Sequence, residues 1–210
     1  MQPYAGVLLT KHEDRELLAS AMLGSNVQKV KEAPLVMVFA ADLEPSKRVP
    51  ELQKLEYEAG ASTEAIAKLP MHLRMFVNEG ALGAAVKLAL ATTVTPTQPI
   101  PSYAPTIAWA YKHTIFAAST FLLAAESYGI ATCPMEGFDE TRVKYCVDLP
   151  DRYSVPVIIA AGYSGDDSTA VRRTPRFPLS DMFFSGKFGQ SLSDVASQEQ
   201  EKEATAETMP

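Results

Sequence analysis

Alternating runs of apolar and polar residues divide the first part of the chain into strand and helix segments. Residues 5–10 are rich in Val and Leu and predict a strand, and residues 12–22 carry leucines and alanines at the spacing of an amphipathic helix. Residues 24–32 predict a short charged turn. The continuous apolar run 34–41 predicts a strand that is covered on both faces. This part of the chain therefore predicts a β-α-β order.

Helical periodicity dominates the middle of the chain. Residues 49–69 and 71–91 predict two helices, with Pro70 as the break between them. Residues 92–105 contain four prolines and predict a loop or lid.

The segment 106–128 is apolar on nearly every side and predicts a long buried helix, with Gly129 at its C-terminal cap. A helix without a solvent-exposed face needs packing partners on both sides. We therefore expect it to lie between the sheet and the second subunit of a homodimer. A central helix in a monomer is the alternative.

Three shorter segments complete the predicted sheet. Residues 130–134 and 155–163 predict strands, and residues 139–147 predict a helix with Asp139 as its N-terminal cap. The alternation along the chain predicts an α+β fold, in which a mixed β-sheet is flanked by helices on both sides.

Composition favours a soluble protein with one domain. A chain of 210 residues with 47% hydrophobic residues can bury a full core, which predicts a domain at 1–190 and a disordered acidic tail at 191–210. The net charge of −6 argues against nucleic acid or a membrane as a partner. Cys133 and Cys146 are expected to be buried, reduced thiols. No export signal is visible, so we expect a cytoplasmic location.

The common motifs of enzyme sites do not occur in the sequence. It contains no Rossmann glycine motif, phosphate loop, nucleophile elbow or His-Glu-x-x-His pair. His12, His72 and His113 lie in different segments without the spacing of metal ligands, so no metal site is predicted. We name no catalytic acid, base or nucleophile.

Three separated polar segments remain as candidates for chemistry. They are Asn-Val-Gln-Lys at 26–29, Pro-Met-Glu-Gly-Phe-Asp at 134–139 and Arg-Arg-Thr-Pro-Arg-Phe-Pro at 172–178. Taken singly, they are typical of a polar helix start, a strand-to-helix turn and a basic surface loop. Taken together, they carry a family resemblance.

The run from 109–112 through 129–139 resembles the nitroreductase family of flavin mononucleotide (FMN) enzymes in its central helix and the strand and turn that follow. Met-Gln-Pro-Tyr at 1–4 is similar to the end of the family's Asn-x-Gln-Pro-Trp/Tyr motif. The likeness extends to about residue 188. The family's opening helices have no counterpart ahead of Met1, so we expect a gene model or start site that omits them.

The resemblance implies cofactor-binding roles for the three segments. The turn formed by Pro134, Met135, Glu136 and Gly137 would lie behind the flavin ring, and a backbone N–H of Glu136 or Gly137 would point at the flavin edge that accepts hydride. Gly137 suits close approach of the main chain to a planar ring because it lacks a Cβ atom.

The same resemblance implies polar contacts at both ends of the cofactor. Asn26 and Lys29 would meet the pyrimidine edge, where an ammonium stabilises negative charge. Arg176, together with Arg173 or Arg172, would bind the phosphate. The family more often has Lys at the position of Thr174.

The activity implied is that of a homodimeric FMN oxidoreductase that takes electrons from NADH or NADPH. The acceptor would be a small molecule such as a nitroaromatic or a quinone. A flavin-free, dimerising scaffold protein on the same fold is the alternative, since function depends on the site and not on the fold. A third hypothesis is an intact flavin site that is used for dehalogenation or for another specialised metabolic step.

Overall fold

The computed structural model describes residues 1–77, 79–164 and 174–191. These residues belong to two compact units, 1–164 and 165–210, which are described separately. The strands of the first unit are β1 (Tyr4–Leu9), β2 (Leu35–Asp42), β3 (Ala131–Met135) and β4 (Tyr153–Gly162). Its α-helices are α1 (His12–Ala19), α2 (Asn26–Glu32), α3 (Val49–Glu58), α4 (Thr63–Val77), α5 (Ala81–Val94), α6 (Thr106–Ser127) and α7 (Glu140–Cys146).

The four strands form one sheet in the order β1-β2-β4-β3, and helices cover it, which confirms the predicted α+β fold. The prediction of a mixed sheet was wrong for these strands, because all three pairs are antiparallel. Leu9 at the end of β1 lies opposite Val36 near the start of β2. The short helices α1 and α2 connect β1 to β2 and pack on each other. The chain therefore enters β2 at the same end of the sheet where it left β1.

The two faces of the sheet carry different helices. One face packs against α1, α2 and α7 around Val36, Val38 and Ile158. The other face packs against α6 around Phe39, Val157 and Ile159. β2 is therefore covered on both faces, as its apolar run predicts.

The long helix α6 has one buried and one exposed face. Ala110, Thr114 and Ala118 form the buried stripe against the sheet. Phe116 and Leu123 on the other side are 64% and 74% exposed. The predicted helix and its packing on the sheet are confirmed, and the expected contact with a second subunit stays a prediction. Its end at Gly129, with φ +69°, also matches the predicted cap.

The helix breaks in the middle of the chain differ from the predicted ones. Pro70 lies inside α4 and does not separate two helices. The breaks fall at Gly60 and Gly80, which have φ of +84° and +82°. Glycine reaches this left-handed region at little cost, so it ends a helix where packing requires a reversal.

The predicted charged turn before Glu32 was also wrong, because residues 26–32 form α2. Val30 on this helix is fully buried in the core under the sheet. Burial of one apolar stripe stabilises a short helix that its polar sequence does not favour by itself. None of the described helices is long and apolar enough to cross a membrane.

The second unit is described at residues 174–191. It contains the short helix α8 (Leu179–Met182) and a bridge between Phe184 and Ser191. The rings of Phe184 and Phe188 lie 4.6 Å apart. The predicted tail at 191–210 lies, apart from Ser191, outside the described residues, and the predicted boundary at residue 190 stays a prediction.

Candidate functional site

The turn after β3 is fastened to the end of helix α1 and the loop that follows it. The N–H of Leu23 donates to the carbonyl of Gly137 over 3.0 Å, and the N–H of Asp139 donates to the carbonyl of Ala21 over 2.8 Å. Met22 and Phe138 form an isolated β-bridge between these two bonds. The turn is therefore held against the start of α2.

Asn26 at the start of α2 reaches the same turn with its side chain. Its Nδ2 donates to the carbonyl of Gly137 over 3.3 Å. Its Oδ1 accepts from Nζ of Lys29 over 3.2 Å. Asn26 and Lys29 lie three residues apart and so share one helix face. The structure thus brings together residues from two of the three polar segments of the sequence.

Gly137 has no room for a side chain in this arrangement. A Cβ atom at this position would lie 2.8 Å from Nδ2 of Asn26. The resemblance explains this glycine by the approach of a ring, and the structure adds a second reason in the amide of Asn26. Glycine therefore allows the turn and α2 to touch.

The surface of the turn offers both polar and apolar groups. Lys29, Pro134 and Glu136 are exposed, while Met135 is buried and anchors the turn in the core. Pro134 pairs with Ile159, so it points to the face of the sheet that carries α6. Outside the strand pairings, no hydrogen bond of the described residues uses the N–H of Glu136 or Gly137 as a donor.

The third polar segment belongs to the other unit. Nη1 of Arg176 donates to Oγ1 of Thr174 over 2.7 Å, and Arg176 is exposed. Arg172 and Arg173 lie outside the described residues. The phosphate-binding role of these arginines stays a prediction.

The two cysteines and His113 lie against apolar or aromatic side chains. Cys133 and Cys146 are free thiols that pack partly buried against the core. His113 lies between Trp109 and Phe116, and its burial lowers its pKa. In the described ranges, no three His, Cys, Asp or Glu side chains are placed to hold a metal ion.

Sequence reasoning missed the contribution of Leu23 and Ala21, which act through their backbone groups. Such contacts leave no residue-type signal, because any non-proline residue offers the same N–H and carbonyl. The pairing of Asn26 with Gly137 joins positions 111 residues apart, and only the fold reveals it.

Comparison with known proteins identifies the family. The sequence model of the nitroreductase family matches residues 1–163. The chain therefore belongs to the nitroreductase family, which is a family of oxidoreductases.

Three known proteins illustrate the likeness. A Thermus thermophilus protein named NADH dehydrogenase is 26% identical over 175 residues, which cover 83% of this chain and 73% of that protein. A nitroreductase family protein from Streptococcus pneumoniae TIGR4 superposes with a TM-score of 0.63 at 19% identity, covering 86% of this chain and 78% of that one. A nitroreductase from Exiguobacterium sibiricum 255-15, solved in complex with FMN, gives a TM-score of 0.61 at 15% identity, with 86% and 75% covered.

Proposed function

We propose that this protein is an FMN-dependent oxidoreductase that passes electrons from NADH or NADPH to a small acceptor, such as a nitroaromatic or a quinone. The contact of Asn26 with Gly137 beside the ammonium of Lys29 carries the proposal, because it unites the two segments for which the family resemblance implies flavin contacts. The Thermus relative named NADH dehydrogenase and the FMN complex of the Exiguobacterium protein support it.

The residues in this place fit a flavin by their chemistry. Lys29 and Asn26 present an exposed ammonium and an amide, which suit the oxygen and nitrogen atoms of a pyrimidine edge. The turn presents two N–H groups without a partner outside the strand pairings and the exposed apolar ring of Pro134. When bound, FMN supplies the hydride and electron chemistry that no side chain of the protein provides.

The protein's own residues hold charge and shape around that chemistry. Lys29 stabilises negative charge at the edge that it faces, and the hydrogen bond to Asn26 restricts where its ammonium lies. Asn26 is in turn held by the carbonyl of Gly137, so the position of Lys29 depends on the turn. The buried side chain of Met135 keeps the turn fixed to the core.

We propose that Arg176 and Arg173 bind the phosphate of the cofactor. Guanidinium groups offer paired donors to a phosphate, and charge-assisted bonds of this kind are the strong ones. The bond from Arg176 to Thr174 gives that guanidinium a local support.

The first experiment is an absorbance titration of the purified chain with FMN, followed by NADPH under nitrogen. We expect uptake of flavin and bleaching of its bands by NADPH. Lys29→Gln should weaken FMN binding roughly tenfold, because one charge-assisted contact is lost. Lys54→Gln is the matched control, since Lys54 is an exposed lysine on α3. A chain that takes up no flavin would contradict the proposal and favour the scaffold alternative.

A homodimer is the second part of the proposal. Ile115, Phe116 and Leu123 form an exposed apolar strip on the outer face of α6, and burial of such surface drives association. Phe116→Glu with Leu123→Glu should convert the dimer to monomers in sedimentation velocity. Tyr145→Glu on α7, where the side chain is 81% exposed, is the control and should leave the dimer intact. A wild-type chain that sediments as a monomer would refute this part.

A cytoplasmic location and the choice between NADH and NADPH stay predictions.

A further inference from the structure

The outer face of α6 carries one cation and one anion at equal distances from its middle. Lys112 lies seven residues before Ser119, and Glu126 lies seven residues after it. Seven residues are close to two turns of an α-helix, so the three side chains lie in one row along the helix. All three are exposed. The exposed apolar strip of α6 flanks this row, so charged and apolar groups share the outer face.

The two charged groups of this face have no partner within the chain. Four turns of helix, or about 21 Å, separate Lys112 from Glu126, so they cannot pair with each other. In residues 1–77, 79–164 and 174–191, neither side chain makes an ion pair. Solvent satisfies both groups in the free chain, but association through this face would disfavour charges that are left unpaired. A protein on this face must therefore present an anion to Lys112 and a cation to Glu126.

A second copy of α6 that runs in the opposite direction meets this requirement. When two antiparallel copies of the helix cross with Ser119 opposite Ser119, Lys112 of each copy lies opposite Glu126 of the other. In the same register, Ile115 lies opposite Leu123, so exposed apolar side chains also meet. Serine at the crossing point is small, which allows the two helices to approach closely. Each contact then occurs twice, as in an isologous dimer.

We propose that the homodimer forms by antiparallel packing of two α6 helices centred on Ser119, with ion pairs between Lys112 of one copy and Glu126 of the other. The inference rests on the homodimer of the proposed function and specifies its interface and register. Parallel packing of the same faces would place each charge opposite its own kind, and such juxtaposition is costly. Charge complementarity therefore selects the antiparallel arrangement.

Disulfide cross-linking tests the centre of this interface. Ser119→Cys should form an intermolecular disulfide with oxidised glutathione, because two residues at a two-fold axis lie within reach of each other. Ser127→Cys is the matched control, since Ser127 is an exposed serine on the same helix. Its two copies would lie about 24 Å apart along the helices, so no cross-link is expected. The wild type, with its free thiols at Cys133 and Cys146, gives the background on a non-reducing gel.

Charge reversal tests the two ion pairs, with the dissociation constant of the dimer measured by sedimentation equilibrium at low salt. Lys112→Glu or Glu126→Lys alone should weaken the dimer at least about tenfold, because both pairs become like charges. A mixture of the two variants should form a heterodimer about as tight as the wild-type dimer, because both of its pairs are complementary again. Lys54→Glu on α3 is the control and should dimerise as the wild type does.

Two outcomes would overturn the register and leave the homodimer itself in place. One is a dimeric wild type in which Ser119→Cys cross-links no better than Ser127→Cys. The other is a mixture of the two charge variants that associates no more tightly than either variant alone. A monomeric wild type would overturn the homodimer together with this proposal, whereas flavin uptake is decided separately by the FMN titration. Circular dichroism checks that each variant is folded.

Discussion

The two faces of the sheet are built from the same strands but are completed differently. On one face, α1, α2 and α7 close over a core that extends from Leu9 to Ala160. On the other face, α6 covers a smaller core around Phe39 and Ile159 and turns an apolar strip outward. A single chain can thus finish one face and leave the outer layer of the other exposed.

The two faces of the sheet do not differ in how deeply the strands are buried. Ile158 and Ile159 are neighbours on β4, point to opposite faces and are both fully buried. The sheet itself is therefore equally protected on both sides. What differs is the layer above it, because α6 is one helix where the closed face has three.

The largest expected effect concerns the closed face, which is the face of the sheet covered by α1, α2 and α7. Ile158→Ala should lower the free energy of unfolding by roughly 2–5 kcal/mol, because it removes a fully buried side chain and leaves a cavity. Leu123→Ala, at a 74% exposed position on α6, should change the stability of the monomer by less than about 0.5 kcal/mol. Urea unfolding at low protein concentration measures both. Equal losses would contradict the assignment of Ile158 to the core and of Leu123 to the exposed side of α6.

The next effect compares one glycine on each face. A Cβ atom at Gly162 would lie 2.6 Å from Cδ of Pro34, whose ring cannot move aside. Gly162→Ala should therefore cost roughly 1–3 kcal/mol of stability. A Cβ atom at Gly6 would meet only Sδ of Met37, at 3.1 Å, and this side chain is flexible.

Gly6→Ala is thus the matched variant and should cost clearly less than Gly162→Ala. Thermal or urea unfolding of the two single variants decides the order. The reverse order would mean that the face under α6 is the more tightly packed one.

A smaller effect is expected at the candidate site, on the edge of the closed face. Gly137→Ala should displace the amide of Asn26, 2.8 Å from the added Cβ atom, and cost about 1 kcal/mol for the lost hydrogen bond. In an Asn26→Ala background, the same change should cost almost nothing, because the next atom, Cβ of Leu23, lies at 3.9 Å. A double-mutant cycle in urea measures the coupling. Additive losses would contradict the assigned contact.

The smallest effect on stability is expected on the outer surface of the helices that cover the closed face. Nζ of Lys31 donates to Oε2 of Glu16 over 2.7 Å and joins α2 to α1. This hydrogen bond lowers the pKa of Glu16, with smaller contributions in the same direction from the charge of Lys31 and then that of His12. A lowered folded pKa stabilises the protein above the unfolded pKa, and this contribution is lost as the pH falls through the folded value.

Lys31→Gln should therefore be slightly less stable than the wild type at neutral pH. The difference should begin to shrink as the pH falls below the usual carboxyl pKa of 4.5 and should vanish once the pH is below the lowered pKa of Glu16 in the folded protein. Urea unfolding as a function of pH measures it. A difference that persists in acid would point to packing of the Lys31 side chain and not to its charge.

Much of the fold was predictable because local patterns determine local structure. The apolar runs at β2 and β4, the long helix α6 and the cap at Asp139 all follow from residue type and spacing. The break predicted at Pro70 was wrong: α4 continues through Pro70 to Val77, and Gly80 precedes the next helix.

The candidate site was predictable only in part. Asn26, Lys29 and Gly137 were named through a family resemblance, and the structure brings them together. Their mutual hydrogen bonds, and the reason why residue 137 must be glycine, depend on how α2 packs against the turn.

Periodicity and capping act over a few residues, so they are enough to predict the strands β1, β2, β3 and β4 and the helices α1, α6 and α7, but not α2 or the break between α4 and α5. The antiparallel pairing of the strands, the contact of Asn26 with a residue 111 positions away and a cavity between α4 and α5 depend on tertiary contacts. They form where segments distant in sequence pack together, and the free energy of that packing is spread over many side chains, none of which marks the contact in the local sequence.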